Sequence, residues 1–118
     1  MPTVLLVDDS PVVRRVLTVR LVAAGFDVRA EPSATSARTV SPAALACAII
    51  DIDLPDGSGV DLASYLRKQR PTLPVAFFTA GAAAAGIKEA QTHGPVFTKP
   101  DVDAVMAWVL GRQPPPTK

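Results

Sequence analysis

The sequence has one cysteine, one histidine and few aromatic residues, and its charges nearly cancel. Each scarcity excludes something. A single thiol, Cys47, cannot close an intrachain disulfide, and its place at the head of the apolar run Ala48-Ile49-Ile50 marks it as a small buried hydrophobe. Aromatics make up 5% of the chain, so its core has to be built from Val, Leu, Ile and Ala. Twelve Lys and Arg against 11 Asp and Glu leave a net charge of +1, with the basic residues dispersed. That is not the footprint of a nucleic-acid binder, and no direct nucleic-acid contact is expected. No apolar stretch approaches the roughly 20 residues that span a bilayer, and the N-terminus lacks a basic-then-apolar export layout. No membrane contact and a cytoplasmic location are therefore expected. His93 has no Cys or His neighbour and reads as a surface residue beside Gly94.

What is present is regular. The 118 residues suit one domain, and 48% apolar content is enough to cover both faces of a small sheet. Thr3–Val7 is a continuous β-branched and aliphatic run, the pattern of a parallel strand covered on both sides. Ser10-Pro11 reads as an N-cap and first helical position for a helix over Val12–Ala24, stopped by Gly25. Val13, Val16, Leu17, Val19 and Leu21 give that helix a broad apolar side, with Arg14, Arg15 and Arg20 outward. Further strands are expected at Phe26–Ala30, Leu45–Ile50, Pro74–Phe78 and Val96–Thr98. Helices are expected at Ala34–Val40 behind Ser33, at Val60–Gln69, near Ile87–Thr92, and at Val102–Leu110 between Asp101 and Gly111. Arg67-Lys68 with Arg70 reads as a solvated helix end, and Asp51–Gly59 as a turn-rich loop. Strand and helix alternate five times, which right-handed crossovers turn into an open parallel sheet with helices on both faces. Ligands of such sheets sit at the carboxyl ends of the strands.

Four of those strand ends carry polar residues of one chemical kind: Asp8-Asp9, Asp51, Thr79 and Lys99. An adjacent acid pair is ordinarily a solvated loop, a lone strand threonine is ordinary, and a lone lysine is usually just exposed. Together they converge. Three crowded carboxylates repel one another unless a hard cation relieves them, and Mg²⁺ takes carboxylate, carbonyl, water and phosphate oxygens. Asp51 closes the central apolar run, so it is the carboxylate placed to attack phosphorus and form an acyl phosphate. The Asp53 backbone carbonyl, two residues on, is within reach of the same cation. Asp56, in the turn Pro55-Asp56-Gly57, reads as structural. Lys99-Pro100 permits a cis peptide that aims the lysine back at the strand ends.

These motifs closely resemble the receiver domain of bacterial two-component response regulators. The resemblance runs over about residues 3–112. It rests on the acid-pair strand ending Asp8-Asp9-Ser10, on Asp51 with Pro55 and Gly59 four and eight residues later, on Thr79-Ala80, and on Lys99-Pro100. It implies a flavodoxin-like, doubly wound α/β domain with a five-stranded parallel sheet over residues 1–112. Residues 113–118 are then a proline-rich tail or the start of a linker. It further implies that Asp51 accepts a phosphoryl group from a sensor histidine kinase or a histidine phosphotransfer protein. Asp9, Asp51 and the Asp53 carbonyl would hold Mg²⁺, or Mn²⁺, with Asp8 acting through water. Thr79 and the Ala80 N–H would bind phosphoryl oxygens, and Lys99 would pair with them. Val12, Arg14 and Arg15 would receive the donor's helix. Output would go by contact to a downstream protein or domain, and a homodimer is compatible with it.

Two departures matter: the family's aromatic switch, three residues before the lysine, is Val96 here, with Phe97 one place later, and the Thr79-to-Lys99 spacing is a little short, as an abbreviated fourth helix would make it. This leaves the Ala/Gly-rich stretch 80–86 as the expected mobile responder. Two readings compete. A receiver used as a binding or dimerisation module without phosphorylation keeps every motif. A haloacid-dehalogenase-like phosphatase would share Asp51 and Asp53, but this chain has Pro55 where a Thr or Val is usual and no second acidic motif after Lys99. A calcium loop starting at Asp51 fails because its twelfth residue is Leu62.

Overall fold

The computed structural model describes residues 2–112, so the proline-rich stretch 113–118 lies outside the described residues. Along the chain run β1 (Thr3–Val7), α1 (Pro11–Ala23), β2 (Asp27–Glu31), α2 (Ala34–Ala37), a short 3-10 turn at Pro42–Ala44 and β3 (Leu45–Ile50). A small hairpin follows, β4 (Asp53–Leu54) and β5 (Gly57–Ser58). Then come α3 (Gly59–Gln69), β6 (Val75–Thr79), α4 (Ala84–Gln91), β7 (Val96–Thr98) and α5 (Val102–Leu110). The main sheet has the order β2-β1-β3-β6-β7 and every neighbour is parallel. The chain steps from β1 outward to β2, then returns across β1 to β3 and continues the other way. The switch in direction therefore falls between β1 and β3, where the acids of Asp8-Asp9 and Asp51 emerge.

Alternate residues of the central strands feed two cores. Val4, Leu6, Cys47, Ile49 and Phe78 pack with Leu17 and Leu21 of α1 and with Val105, Met106 and Val109 of α5. Leu5, Val7, Ala48, Ile50, Val75 and Phe77 face the other way, against α2, α3 and Ala90 of α4. Such two-sided burial is why these strands read as unbroken apolar runs. Cys47 is fully buried, and burial pushes its thiol up to about 12, which leaves it inert as a nucleophile.

Several sequence expectations change. Val16 and Val19 are not core residues; they are 42% and 61% exposed. At about 100° per residue they sit well round the helix from Leu17 and Leu21, the pair that meets the sheet. Arg14 turns inward, with Nη1 donating to the Asp8 carbonyl at 2.8 Å. Arg67 and Arg70 do not end a solvated helix. Arg67 donates to the Leu73 carbonyl at 3.0 Å, and Arg70 to the carbonyls of Pro42 and Leu45. α2 stops at Ala37 instead of Val40: the Thr39 and Val40 N–H groups donate to the Ser36 and Ala37 carbonyls, three residues back, so the chain leaves the helix in a turn while Val40 still reaches the core. Residues 51–59 hold a hairpin, and α4 starts at Ala84, earlier than expected. His93 is partly buried where a surface residue was expected, and its N–H donates to the Ala90 carbonyl at 2.9 Å.

Candidate functional site

The acid pair is held by its own loop. Asp8 is 1% exposed; its N–H donates to the Glu31 carbonyl at 3.1 Å, and its Oδ1 accepts from the Ser10 N–H at 2.9 Å. Ser10 also caps α1, as its Oγ accepts from the Val13 N–H at 3.3 Å. Asp9 stays exposed. The Asp51 N–H donates to the Val7 carbonyl at 2.9 Å, which fixes Asp51 beside the acid pair. Its side chain is buried, the residue being 6% exposed, and Oδ1 accepts from the Asp53 N–H at 3.3 Å. One carboxylate oxygen from each of Asp8, Asp9 and Asp51 lies within 4.8 Å of the others. Three hard anionic oxygens at that spacing suit a small divalent cation.

Lys99 closes the site. The Lys99–Pro100 peptide is cis, and Nζ lies 2.9 Å from Asp8 Oδ2 and 2.9 Å from Asp51 Oδ2. Burial pulls its ammonium down, but the hydrogen bonds to Asp51 and Asp8, with their charge, outweigh burial and the net shift is upward. Asp8 is raised above the ordinary 3.8, chiefly by burial. The Lys99 and Ser10 hydrogen bonds and the Lys99 charge only partly offset that, while the Asp51 charge adds to it. The lysine thus neutralises part of a carboxylate crowd that it cannot fully satisfy.

Thr79 is 3% exposed, and its Oγ1 is the buried side-chain polar atom without a hydrogen-bond partner among the described residues. Leaving a buried hydroxyl unpaired costs about 1–3 kcal/mol, which an incoming acceptor would recover. The Thr79 carbonyl accepts from the Lys99 N–H at 2.8 Å, so threonine and lysine are held together across β6 and β7. Ala80, next in line, is exposed, as is Asp53 in β4.

One contributor stood in the sequence only as a motif spacing, and another escaped it. Gly59 begins α3 so close to the site that a Cβ there would lie 1.9 Å from the Asp51 carbonyl oxygen. Arg14 holds the Asp8 main chain from one turn up α1, where an arginine ordinarily reads as solvated. The glycine spacing was a usable signal for the first; the second depends on the path of the loop.

A profile of the response regulator receiver domain family matches residues 4–103. The chain is 36% identical over 77 residues to the response regulator protein PilR of Pseudomonas aeruginosa, covering 64% of this chain and 17% of PilR. This chain therefore spans only a small part of that relative's length. The non-phosphorylated HemR receiver domain of Leptospira biflexa superposes with a TM-score of 0.83 at 28% identity, over 100% of both chains. The response regulator TrrA of Thermotoga maritima, solved in complex with Mg²⁺–BeF, gives a TM-score of 0.79 at 22% identity, over 96% of this chain and 100% of that one.

Proposed function

The chain belongs to the response regulator receiver domain family, and on that premise we propose that Asp51 accepts a phosphoryl group from a phosphohistidine. The donor is a sensor histidine kinase or a histidine phosphotransfer protein. An Asp51 carboxylate oxygen forms the new P–O bond while the P–N bond breaks, and its electron pair leaves with the imidazole nitrogen. Asp9, Asp51 and the Asp53 carbonyl would hold a Mg²⁺ or Mn²⁺ ion, with Asp8 contributing through water. When bound, the cation supplies charge neutralisation at the phosphoryl oxygens. Lys99 exchanges its contact with Asp51 for a phosphoryl oxygen, while the Thr79 hydroxyl and the Ala80 N–H donate to the others. Residues 1–112 act as one cytoplasmic domain, 113–118 as a tail or linker, and output passes to a downstream protein or domain. The carrying observation is the triad of carboxylates within 4.8 Å, two of them, Asp8 and Asp51, bridged by Lys99 at the switch point of the sheet. The Mg²⁺–BeF complex of the Thermotoga relative supports both the cation and a phosphoryl mimic on this fold.

The test is intact mass after incubation with acetyl phosphate and Mg²⁺. A single phosphoryl adduct is expected, absent from Asp51→Asn and from metal-free protein. If neither acetyl phosphate nor beryllofluoride engages the site, a phosphorylation-independent binding module becomes the better reading. One feature favours that second reading. Val96 packs against the α2–α4 side, while Phe97 packs with the α1–α5 side, so no aromatic occupies the switch position.

A further inference from the structure

One carboxylate outside the acceptor chemistry joins two loops near the site. Asp56, exposed at the tip of the β4–β5 hairpin, has both oxygens taken up by the first turn of α2. Oδ1 accepts from the Ala34 N–H at 2.9 Å; Oδ2 accepts from the Thr35 N–H at 2.7 Å and from the Thr35 hydroxyl. The Thr35 hydroxyl first, then the two backbone N–H groups, hold its carboxyl down at about 2. α2 has its own cap as well, because Ser33 Oγ accepts from the Ser36 N–H at 3.2 Å. A second cap, reaching in from 21 residues away, ties two loops together.

The hairpin needs such a tie. It pairs only Asp53 with Ser58 and Leu54 with Gly57, and a lone two-stranded ribbon is marginal in water. Its base is fixed by the Gly59 N–H donating to the Ile52 carbonyl at 2.7 Å; its tip is fixed by Asp56. The segment that receives Asp56 is the one that supports the acid pair, since the Glu31 carbonyl accepts the Asp8 N–H. Residues 31–35 thus touch both acid-bearing loops.

We infer that Asp56 is a positioning residue for the cation site: by fastening the hairpin to residues 34–35 it holds Asp51 and the Asp53 carbonyl in register with Asp8 and Asp9. This rests on the acceptor reading proposed above. Mn²⁺ binding, read from the loss of the free aquo-ion signal in electron paramagnetic resonance, tests it, with urea unfolding run alongside. Asp56→Ala should weaken Mn²⁺ binding by roughly tenfold, the scale for groups that orient metal ligands. Asp56→Asn, which keeps one acceptor, should fall between it and wild type. Ser33→Ala uncaps α2 without touching the hairpin, so it should lower stability and leave Mn²⁺ affinity unchanged. Wild-type affinity in Asp56→Ala, or equal weakening by Ser33→Ala, would overturn the inference. If Asp56→Ala does not fold, Asp56→Asn decides, and wild-type affinity there overturns it equally. A wild-type protein that binds no Mn²⁺ would instead remove the acceptor reading, and this inference with it.

Discussion

The two halves of the sheet are built to different standards. At β1 and β3 the polar ends are tied, Asp9 excepted. Asp8 is held through its N–H, carbonyl and carboxylate, Asp51 sits against Gly59, and the hairpin is fastened by Asp56. At β6 and β7 the ties thin out. α1, α2, α3 and α5 each receive a side-chain N-cap, from Ser10, Ser33, Ser58 and Asp101, whereas α4 has Ala83 at its N-cap and receives none. Both edge strands, β2 and β7, bury no residue and β6 is buried throughout, so the difference lies in α4, which buries only Ala90 completely. The three clustered carboxylates, whose spacing has to be kept, sit in the first half, while Thr79 and Lys99 reach them from the second. A segment that must rearrange is cheaper to move where fewer contacts are lost, which is the second half.

Gly59→Ala attacks the tied half and should have the largest effect. The new Cβ cannot coexist with the Asp51 carbonyl, so urea unfolding should lose about 3 kcal/mol or more. A loss below about 1 kcal/mol would mean the acceptor loop gives way easily, and the contrast would dissolve. Supplying what α4 lacks should work in the opposite direction. Ala83→Ser adds a cap worth about 1 kcal/mol and should raise hydrogen-exchange protection over 84–91. Gly86→Ala should add about 0.5–1 kcal/mol, because its Cβ would meet Ile52 Cγ2 at an ordinary 3.6 Å. If neither substitution stabilises the protein, α4 is not the weak element. Beryllofluoride should change exchange over 80–94 more than over 45–62; unchanged protection over 80–94 would place the response elsewhere.

The smallest effect concerns acid. The Asp56 carboxyl is lowered from the ordinary 3.8 to about 2, so the unfolded chain binds more protons between those values. Its contribution to stability is complete above about pH 4 and is lost as pH falls toward 2. Asp56→Asn should flatten that acid limb relative to wild type. Unfolding midpoints measured from pH 5 to pH 2 would show it, and parallel curves would contradict it.

Much of this was legible because local rules and the fold agreed. Apolar runs located β1, β3 and β6, Ser10, Ser33 and Asp101 announced three helix starts, and the acids, threonine and lysine all closed strands. The illegible parts are long-range. Nothing local tells a covered aliphatic residue from an exposed one on a helix with valines on most sides; Val12, Val16, Val19 and Val22 are all exposed, while Leu17 and Leu21 are covered. Arg14, Arg67 and Arg70 looked solvated, yet each satisfies a main-chain carbonyl in a loop, a turn or a strand end.

The sequence by itself determined the order of the five parallel strands and the helices between them, and the chemical kind of the candidate site residues. Those follow from residue type and spacing, which act over a few positions. Only the tertiary structure decided that Lys99 bridges Asp8 and Asp51, that Thr79 keeps a buried hydroxyl unpaired, and that Asp56 reaches α2. Those contacts join residues brought together by the crossover connections, and their strength depends on distance and burial that no local pattern encodes.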